Sequence, residues 1–234
     1  MNSSERESIL GRIREALKTP APHAAHGAHS SLSNSASSLT TASPPRAWLP
    51  FVGESFEDRL ALFQKNASDL KADFHVVADR QELLQKLQNL RDRDAWKKIG
   101  SHAGELTDAI CQDLELPVCR TDQKYDVREL ESCGAGITQC DALIAQTGSV
   151  LVTSRSAGGR ALSVLPPHHI VLAKREQLLP DLPEAFALLK RKYAPNYPSF
   201  ISLITGPSRT GDIERILVLG AHGPKKLTIF FLNE

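Results

Sequence analysis

Residues 170–173 read Ile-Val-Leu-Ala, and this short run decides the class of fold that the sequence predicts. It is apolar at every position, which is typical of a strand inside a parallel sheet whose two faces are both covered by helices. Residues 227–231 (Leu-Thr-Ile-Phe-Phe) and 200–204 (Phe-Ile-Ser-Leu-Ile) have a similar character. The sequence therefore predicts central strands in the second half of the chain.

Short strands alternate with amphipathic helices around this core. Four segments are predicted helices, three in the first half of the chain and one in the second: 56–70, 81–90, 104–113 and 183–193. The clearest are 56–70 and 81–90, in which apolar residues recur at helical spacing. The further predicted strands are 74–77, 98–100, 116–119, 142–145 and 150–153. The last two flank Thr147-Gly148, which suits a tight turn. This alternation predicts an α/β domain, a mostly parallel sheet with flanking helices, over residues 50–234.

The amino-terminal part of the chain has a different organisation. Ser4 and Glu7 have the spacing of a capping box, and residues 1–18 are predicted to contain an amphipathic helix. Its apolar stripe would pack on the main domain or on another subunit. Residues 19–46 are rich in Ala, Ser, Pro, Thr and His and are predicted to be a low-complexity flexible linker. Three histidines recur in it, but such a linker does not preorganise a metal site, and none is predicted.

Composition excludes several classes of function. The chain has 28 basic and 27 acidic residues, so no net field favours nucleic acid or an anionic membrane. No apolar stretch is long enough to span a bilayer, and no signal peptide is recognised, so a cytoplasmic location is expected. None of the 4 cysteines stands in a C-x-x-C pair, and the sequence predicts reduced, mostly buried thiols.

Gly206-Pro207-Ser208-Arg209-Thr210-Gly211-Asp212-Ile213-Glu214 is the first of three candidate site segments. It follows an apolar strand, and the sequence predicts that it opens a helix. A helix N-terminus favours an anion, Arg209 adds a fixed charge, and Ser208 and Thr210 can donate hydrogen bonds. The alternative is a capped helix start in which Asp212 only complements the helix dipole.

The second segment, Gly220-Ala221-His222-Gly223-Pro224, places a histidine between small residues. His222 can act as a general base or as a hydrogen-bond donor to a substrate. The alternative is a turn in which His222 only caps or packs.

The third segment, residues 136–169, contains two candidate acid–base groups, Asp141 and His169. Asp141 alternatively caps a turn, and His169 alternatively is a satisfied histidine at a strand edge. Arg160 follows two glycines and either brings a cation over a pocket or belongs to a solvated connection. The segment also contains the candidate ligand-binding residues Thr147, Gly148 and Ser149.

These segments, in this order, resemble the LUD (lactate-utilization) family over roughly residues 130–232. The resemblance rests on Gly136-Ile137-Thr138, Ala145–Ser149, Arg160–Ser163 with Pro166 and His169, and most specifically on the GPSRTGDIE and HGP segments. It implies a Rossmann-like fold of the NagB/RpiA/CoA-transferase type. One departure is Gln146, at a position where relatives often carry an acidic residue.

In lacking cysteine motifs the chain resembles the LutC branch of the family, and this resemblance implies a function. It implies a subunit of a complex that oxidises L-lactate to pyruvate, with iron–sulfur clusters on LutA- and LutB-like partners. No recognised motif gives this chain a nicotinamide, flavin or iron–sulfur site of its own. Arg209 with Ser208 and Thr210 would hold the substrate carboxylate, and His222 or His169 would take the proton.

Two alternatives remain open beside that function. One is a stand-alone enzyme that transfers acyl-CoA or uses ATP for ligation, for which Glu131 is the one loose candidate nucleophile. The other is a non-catalytic scaffold whose amino-terminal helix recruits a partner.

Overall fold

This computed structural model describes residues 50–213, 216–219 and 223–233 with Gly11 and Glu15. These residues form twelve strands, five α-helices and one 3₁₀-helix, Arg175–Gln177. The helices are α1 (Phe56–Asp69), α2 (Arg80–Arg93), α3 (Glu105–Leu114), α4 (Val127–Glu131) and α5 (Leu182–Tyr193). The strands are β1 (Asp73–Val77), β2 (Ile99–Ser101), β3 (Val118–Arg120), β4 (Ala135–Gln139), β5 (Ala142–Ile144), β6 (Ser149–Thr153), β7 (His168–Lys174), β8 (Leu178–Leu179), β9 (Ile201–Ile204), β10 (Arg209–Ile213), β11 (Ile216–Leu219) and β12 (Lys226–Leu232).

The main sheet confirms the predicted α/β class. It has six strands in the order β1-β12-β7-β4-β2-β3, and every neighbouring pair is parallel. The apolar runs that open the sequence argument form β7 and β12, its two most central long strands. Both are buried along almost their whole length, as strands covered on both faces must be.

Helix starts follow from local side-chain chemistry. Ser55, Asp79 and Asp181 precede α1, α2 and α5, and each side chain accepts a hydrogen bond from a backbone N–H in the first turn. These bonds satisfy donors that no intrahelical carbonyl can reach. Apolar faces then pack the helices on the sheet: α1 covers one face, and α2 and α3 contribute to the core on the other face.

A second sheet corrects part of the predicted arrangement. The sequence predicts a central strand of the parallel sheet at 200–204, but β9 is an edge strand of a four-stranded sheet, β8-β5-β6-β9. Two of the three pairs in this sheet are antiparallel. The tight turn between β5 and β6 leaves room only for a hairpin, and Gly148 supplies the positive φ of 64°.

The helix predicted to open near residue 206 is wrong. Arg209–Ile213 form β10, which pairs antiparallel with β11. Residues 209–213 form a strand because the apolar run Ile216-Leu217-Val218-Leu219, which follows the polar segment, supplies a partner strand. The helix N-terminus that was to favour an anion therefore does not exist here.

Two glycines allow a loop to cross the main sheet. A Cβ at Gly136 would lie 2.5 Å from the carbonyl oxygen of Leu162, and a Cβ at Gly100 would lie 2.9 Å from a Leu162 methyl group. Leu162 belongs to the connection between β6 and β7, which reaches Pro167 where β7 begins. The missing side chain at Gly136 thus lets the backbone of this connection lie directly against β4, and the one at Gly100 makes room for the Leu162 side chain on β2.

Some sequence predictions lie outside the described residues. Of the helix predicted within 1–18, only Gly11 and Glu15 are described, and both are helical. The predicted linker 19–46 and His222 are outside. Within the described residues, no helix has the length and apolar character that crossing a bilayer requires.

Candidate functional site

The Thr147-Gly148-Ser149 turn is held against the end of α1. The side-chain amide of Asn66 donates to the carbonyl oxygens of Ala145 at 2.9 Å and Gln146 at 3.1 Å. A Cβ at Gly148 would lie 2.8 Å from the backbone of Asn66. The glycine is therefore required both by its positive φ and by this close contact.

The GPS segment meets the same turn. The hydroxyl groups of Ser149 and Thr205 are 2.8 Å apart and share a hydrogen bond. Gly206 has a φ of 90°, and a Cβ there would lie 2.5 Å from the carbonyl oxygen of Leu70, the residue that caps α1. The structure thus brings together the candidate site residues Thr147, Gly148, Ser149 and Gly206. The sequence alone does not show that they are close in space.

The same zone continues to the start of β7 and β12. The backbone N–H of Ser208 donates to the carbonyl oxygen of Pro224 at 3.0 Å, and that of Lys225 donates to Pro167 at 2.8 Å. A Cβ at Gly223 would come within 3.1 Å of the Ser208 Cβ. We call these connected segments, residues 147–149, 205–208, 223–225 and 167–169, the motif zone.

Arg209 lies at the edge of the motif zone, as the first residue of β10, and its side chain is exposed. Thr210 and Asp212 follow in the same strand. A cation at this position is free to meet an anion from solvent. The predicted proton acceptor of the HGP segment, His222, lies outside the described residues.

His169 is buried in β7, and its surroundings favour the structural alternative. Its Nε2 is 2.9 Å from the Thr138 hydroxyl, and its Nδ1 is buried without a hydrogen-bond partner among the described residues. Burial, with the neighbouring His168, lowers the pKa of His169 to about 3. The imidazole is therefore neutral at physiological pH and is 1% exposed, so solvent-borne substrate does not reach it in this conformation.

The buried His168 and the partly exposed Asp94 form a second polar pair at the same edge of the sheet. Nδ1 of His168 lies 3.4 Å from the Asp94 carboxylate, and its Nε2 is 2.8 Å from the Thr228 hydroxyl. Hydrogen bonds from Arg93 and Lys226 lower the pKa of Asp94 to about 2 against the effect of burial. Burial outweighs the attraction of Asp94 and lowers the pKa of His168 to about 4.

Asp141 is not part of the motif zone. It follows β4 at the carboxyl edge of the main sheet, where its Oδ1 accepts hydrogen bonds from Lys192 and from the Tyr193 hydroxyl, both at 2.6 Å. Burial alone would raise its pKa, but Lys192 and the hydroxyl groups of Ser156, Tyr193 and Thr153 together lower it. Asp141 is therefore a buried carboxylate that ties α5 to the sheet.

Arg160 also lies apart from the motif zone. Its exposed guanidinium is 5.6 Å from the centre of the Phe200 ring, a distance typical of a cation–π contact. The described residues thus place Asp141 with Lys192 and Tyr193, and Arg160 with Phe200.

Sequence reasoning missed the residues that hold these groups. Lys192 stands 51 positions from Asp141, and Asn66 stands 79 from Ala145. A lysine near the end of a helix and an asparagine inside one are ordinary residues for those positions. No sequence signal distinguishes them from solvated side chains.

The N-terminus of α3 lies where open α/β sheets often hold a phosphate, at the carboxyl end of β2. Here carboxylates of the chain occupy it: Asp122 accepts from the N–H of Ala103 at 3.0 Å, and Asp108 accepts from that of Gly104 at 3.1 Å. Next to it, His102 donates from Nδ1 to Ala103 if its Nε2 accepts from the Gln139 N–H. The backbone N–H groups at this helix start are therefore already bonded to carboxylates of the chain, one of which is paired with Arg120.

Comparison with known proteins gives one family. A model described as the LUD domain matches residues 60–232. A crystal structure of a DUF162 family protein from Deinococcus radiodurans is similar with a TM-score of 0.58 at 21% identity, covering 77% of this chain and 99% of that one. At that identity the similarity shows the fold alone.

Curated relatives share the name lactate utilization protein C. That of Bacillus licheniformis is 35% identical over 111 residues, which are 47% of this chain and 46% of that protein. Those of Anoxybacillus flavithermus and Bacillus subtilis are each 32% identical, covering 49% and 47% of this chain and 50% and 46% of the relative. The matched region thus spans about half the length of these relatives.

Proposed function

This chain belongs to the LUD domain family, and we propose that it acts in lactate utilization as a subunit of an L-lactate-oxidising complex. The shared name of its relatives supports the pathway. The proposed partners are LutA- and LutB-like proteins that carry the iron–sulfur clusters, because no recognised motif places one here. A cytoplasmic location belongs to the same proposal and is testable by cell fractionation.

The motif zone is the proposed site for a small carboxylate such as lactate. The single observation that carries this assignment is that Arg209 lies exposed next to the point where Ser208 bonds to Pro224. An arginine fork pairs well with a carboxylate, and Ser208 and Thr210 are proposed as further donors. We assign the proton of the lactate hydroxyl to His222 rather than to the buried His169.

A stand-alone enzyme that uses CoA or ATP is less consistent with the described residues. Asp108 and Asp122 already occupy the helix N-terminus that would bind a phosphate. Glu131, the candidate nucleophile, is the exposed last residue of α4 and does not lie in a glycine-rich loop. Both observations favour the subunit over this alternative.

The test is a pull-down of the tagged chain from its native host, with mass spectrometry and a lactate-dependent dye-reduction assay. Recovery of iron–sulfur proteins together with lactate oxidation is the expected result. Arg209→Ala should then lower activity at least tenfold, the order of one lost charge-assisted contact. The matched control is Lys124→Ala, which removes an exposed cation remote from the motif zone.

Two outcomes contradict parts of this proposal separately. Activity and assembly that are unchanged in both Arg209→Ala and His222→Ala would refute the site while leaving the complex intact. A chain recovered alone and without lactate-dependent activity would refute the complex itself. Stabilisation of such a lone chain by ATP or CoA in a thermal-shift panel would then favour the stand-alone enzyme.

A further inference from the structure

An apolar groove lies between α5 and the edge strand β9. It has a volume of about 210 Å³ and is lined by apolar side chains of α5, β6 and β9. Three of the lining residues are open to solvent, with Phe186 60% exposed, Ile201 41% and Leu203 39%. Large apolar side chains that share one open groove indicate a contact surface for another molecule.

The outer edge of β9 offers backbone groups for hydrogen bonding. Continuing the register of β9 with β6 places Phe200 opposite Ser154, and the carbonyl oxygen of Phe200 accepts the Ser154 N–H at 2.9 Å. Hydrogen bonds alternate along an antiparallel strand, so Ser202 also faces β6, whereas the N–H and C=O groups of Ile201 and Leu203 point to the outer side. Among the described residues, no strand pairs with that side.

We propose that this edge pairs with the same edge of a second copy of the chain, antiparallel and about a two-fold axis. With Ser202 on the axis, Ile201 of one copy lies opposite Leu203 of the other, and their outward N–H and C=O groups bond to one another. An axis normal to the sheet keeps the α5 helices of both copies on the same face. The exposed side chains of β9, together with Phe186, then form one apolar layer across both copies.

The charges of α5 agree with a second copy that is related by a two-fold axis. Glu184 lies in the first turn of the helix and Arg191 in its last turn, and both are exposed. The axis runs the two helices in opposite directions, so the acidic start of each helix lies toward the basic end of the other. A parallel arrangement would bring ends of like charge together.

The sequence and the area of this edge fit a dimer that dissociates measurably. Residues 201–204, Ile-Ser-Leu-Ile, contain none of the charged residues or prolines that commonly protect an edge strand. From their exposed fractions, Phe186, Ile201 and Leu203 expose on the order of 300 Å² per copy. Each partner in a standard interface buries roughly 800 Å². The edge backbone and the helix rim supply the rest, and we expect the dimer to form as concentration rises.

The first experiment measures the mass of the full chain by light scattering during size-exclusion chromatography at several concentrations. The expected mass rises from that of one chain to that of two. Leu203→Lys places a charge in the paired edge and should raise the dissociation constant of the dimer at least about tenfold. The matched control is Val76→Lys, because Val76 is 38% exposed on β1, an edge strand of the main sheet. This control should dimerise like the native chain.

A cysteine on the two-fold axis tests the register directly. Ser202 of one copy lies opposite Ser202 of the other, with Cα atoms about 4.5 Å apart, which is within the range for a disulfide. Ser202→Cys should therefore link two copies under mild oxidation. Leu203→Cys should not, because the residue opposite it is Ile201. The four natural cysteines are buried and do not compete.

Three results would overturn the proposal. The first is the mass of one chain at every concentration with no linked Ser202→Cys dimer, which is also the result if the chain's own amino-terminal segment fills the groove. The second is a dimer that Leu203→Lys leaves intact. The third is a disulfide through Leu203→Cys in place of Ser202→Cys. The linking test decides even if Leu203→Lys folds poorly.

Discussion

Replacement of Lys192 by methionine tests how the buried carboxylate of Asp141 is stabilised. The Asp141 side chain is 0% exposed, whereas that of Lys192 is 48% exposed. Lys192→Met keeps most of the apolar part of the side chain but removes the cation beside the buried Asp141 carboxylate. Of the two donors to Oδ1 of Asp141, only the Tyr193 hydroxyl then remains. Breaking a fully buried pair costs about 3–5 kcal/mol. Because solvent screens half of this lysine, we expect a loss of about 2–3 kcal/mol at pH 7.5.

The pH dependence of this loss gives a sharper test than its size. In the native chain the pKa of Asp141 is lowered, so its contribution to stability is present above the unfolded pKa and is lost as pH falls through the folded pKa. Lys192 is the largest of the effects that lower this pKa, so its removal leaves burial less opposed and the pKa of Asp141 rises. The carboxyl then takes up a proton as pH falls, and the difference in stability between variant and native chain should narrow from pH 7.5 to pH 5.

The assay is urea unfolding of the native chain, Lys192→Met, Asp141→Asn and the double variant at both pH values. Asp141→Asn in the Lys192→Met background should recover stability, because it removes the unpaired charge. Lys190→Met, on the same helix but without this contact, is the matched control. A penalty below 0.5 kcal/mol, or one that grows on acidification, would refute the buried-charge argument.

Three further predictions concern other parts of the fold. The free energy of unfolding should fall as the pH is lowered from 6.5 to 4, with a slope approaching about 2.7 kcal/mol per pH unit. The reason is that His168 and His169 are buried and neutral, with pKa values lowered to about 4 and 3, so the unfolded chain binds two more protons than the folded chain. Urea unfolding at five pH values measures this slope, and a flat profile contradicts it. Gly136→Ala should cost about 1–3 kcal/mol, because its Cβ would lie 2.5 Å from a backbone oxygen, and an unchanged urea midpoint would show that the loop above it moves freely. Asn66→Ala should cost about 1–2 kcal/mol in the same assay through two lost hydrogen bonds to the β5–β6 turn, and hydrogen exchange should increase in that turn before it increases elsewhere.

The sequence was sufficient for the fold class and for most elements of the first half. Fully apolar strands such as 170–173 and amphipathic helices such as 81–90 carry their burial pattern in their own residues. Predicted and observed bounds there differ by only a few positions, as for α2 at Arg80–Arg93. The four thiols were also correctly expected to be buried. These features depend on local periodicity, which a sequence shows directly.

The candidate site was predictable only in part. The GPS and HGP segments were identified by their small residues, and the Thr147-Gly148 turn was correct. The assignment of residues 206–214 to a helix start was wrong, because β10 finds its partner in β11 and a sequence does not show which pairing wins. Asp141 was separated from the site for the same reason, since its partners come from α5.

By itself, the sequence determined that this chain forms a parallel α/β sheet and carries the motifs of the LUD family, because burial periodicity and short motifs are written in consecutive residues. Only the tertiary structure decided which of those motifs meet. The turn at Gly148 contacts Gly206 through the end of α1, while Asp141 pairs with Lys192 at the opposite edge of the sheet. Contacts between residues far apart in sequence depend on strand order and crossing loops, and these are set by the packing of the whole domain.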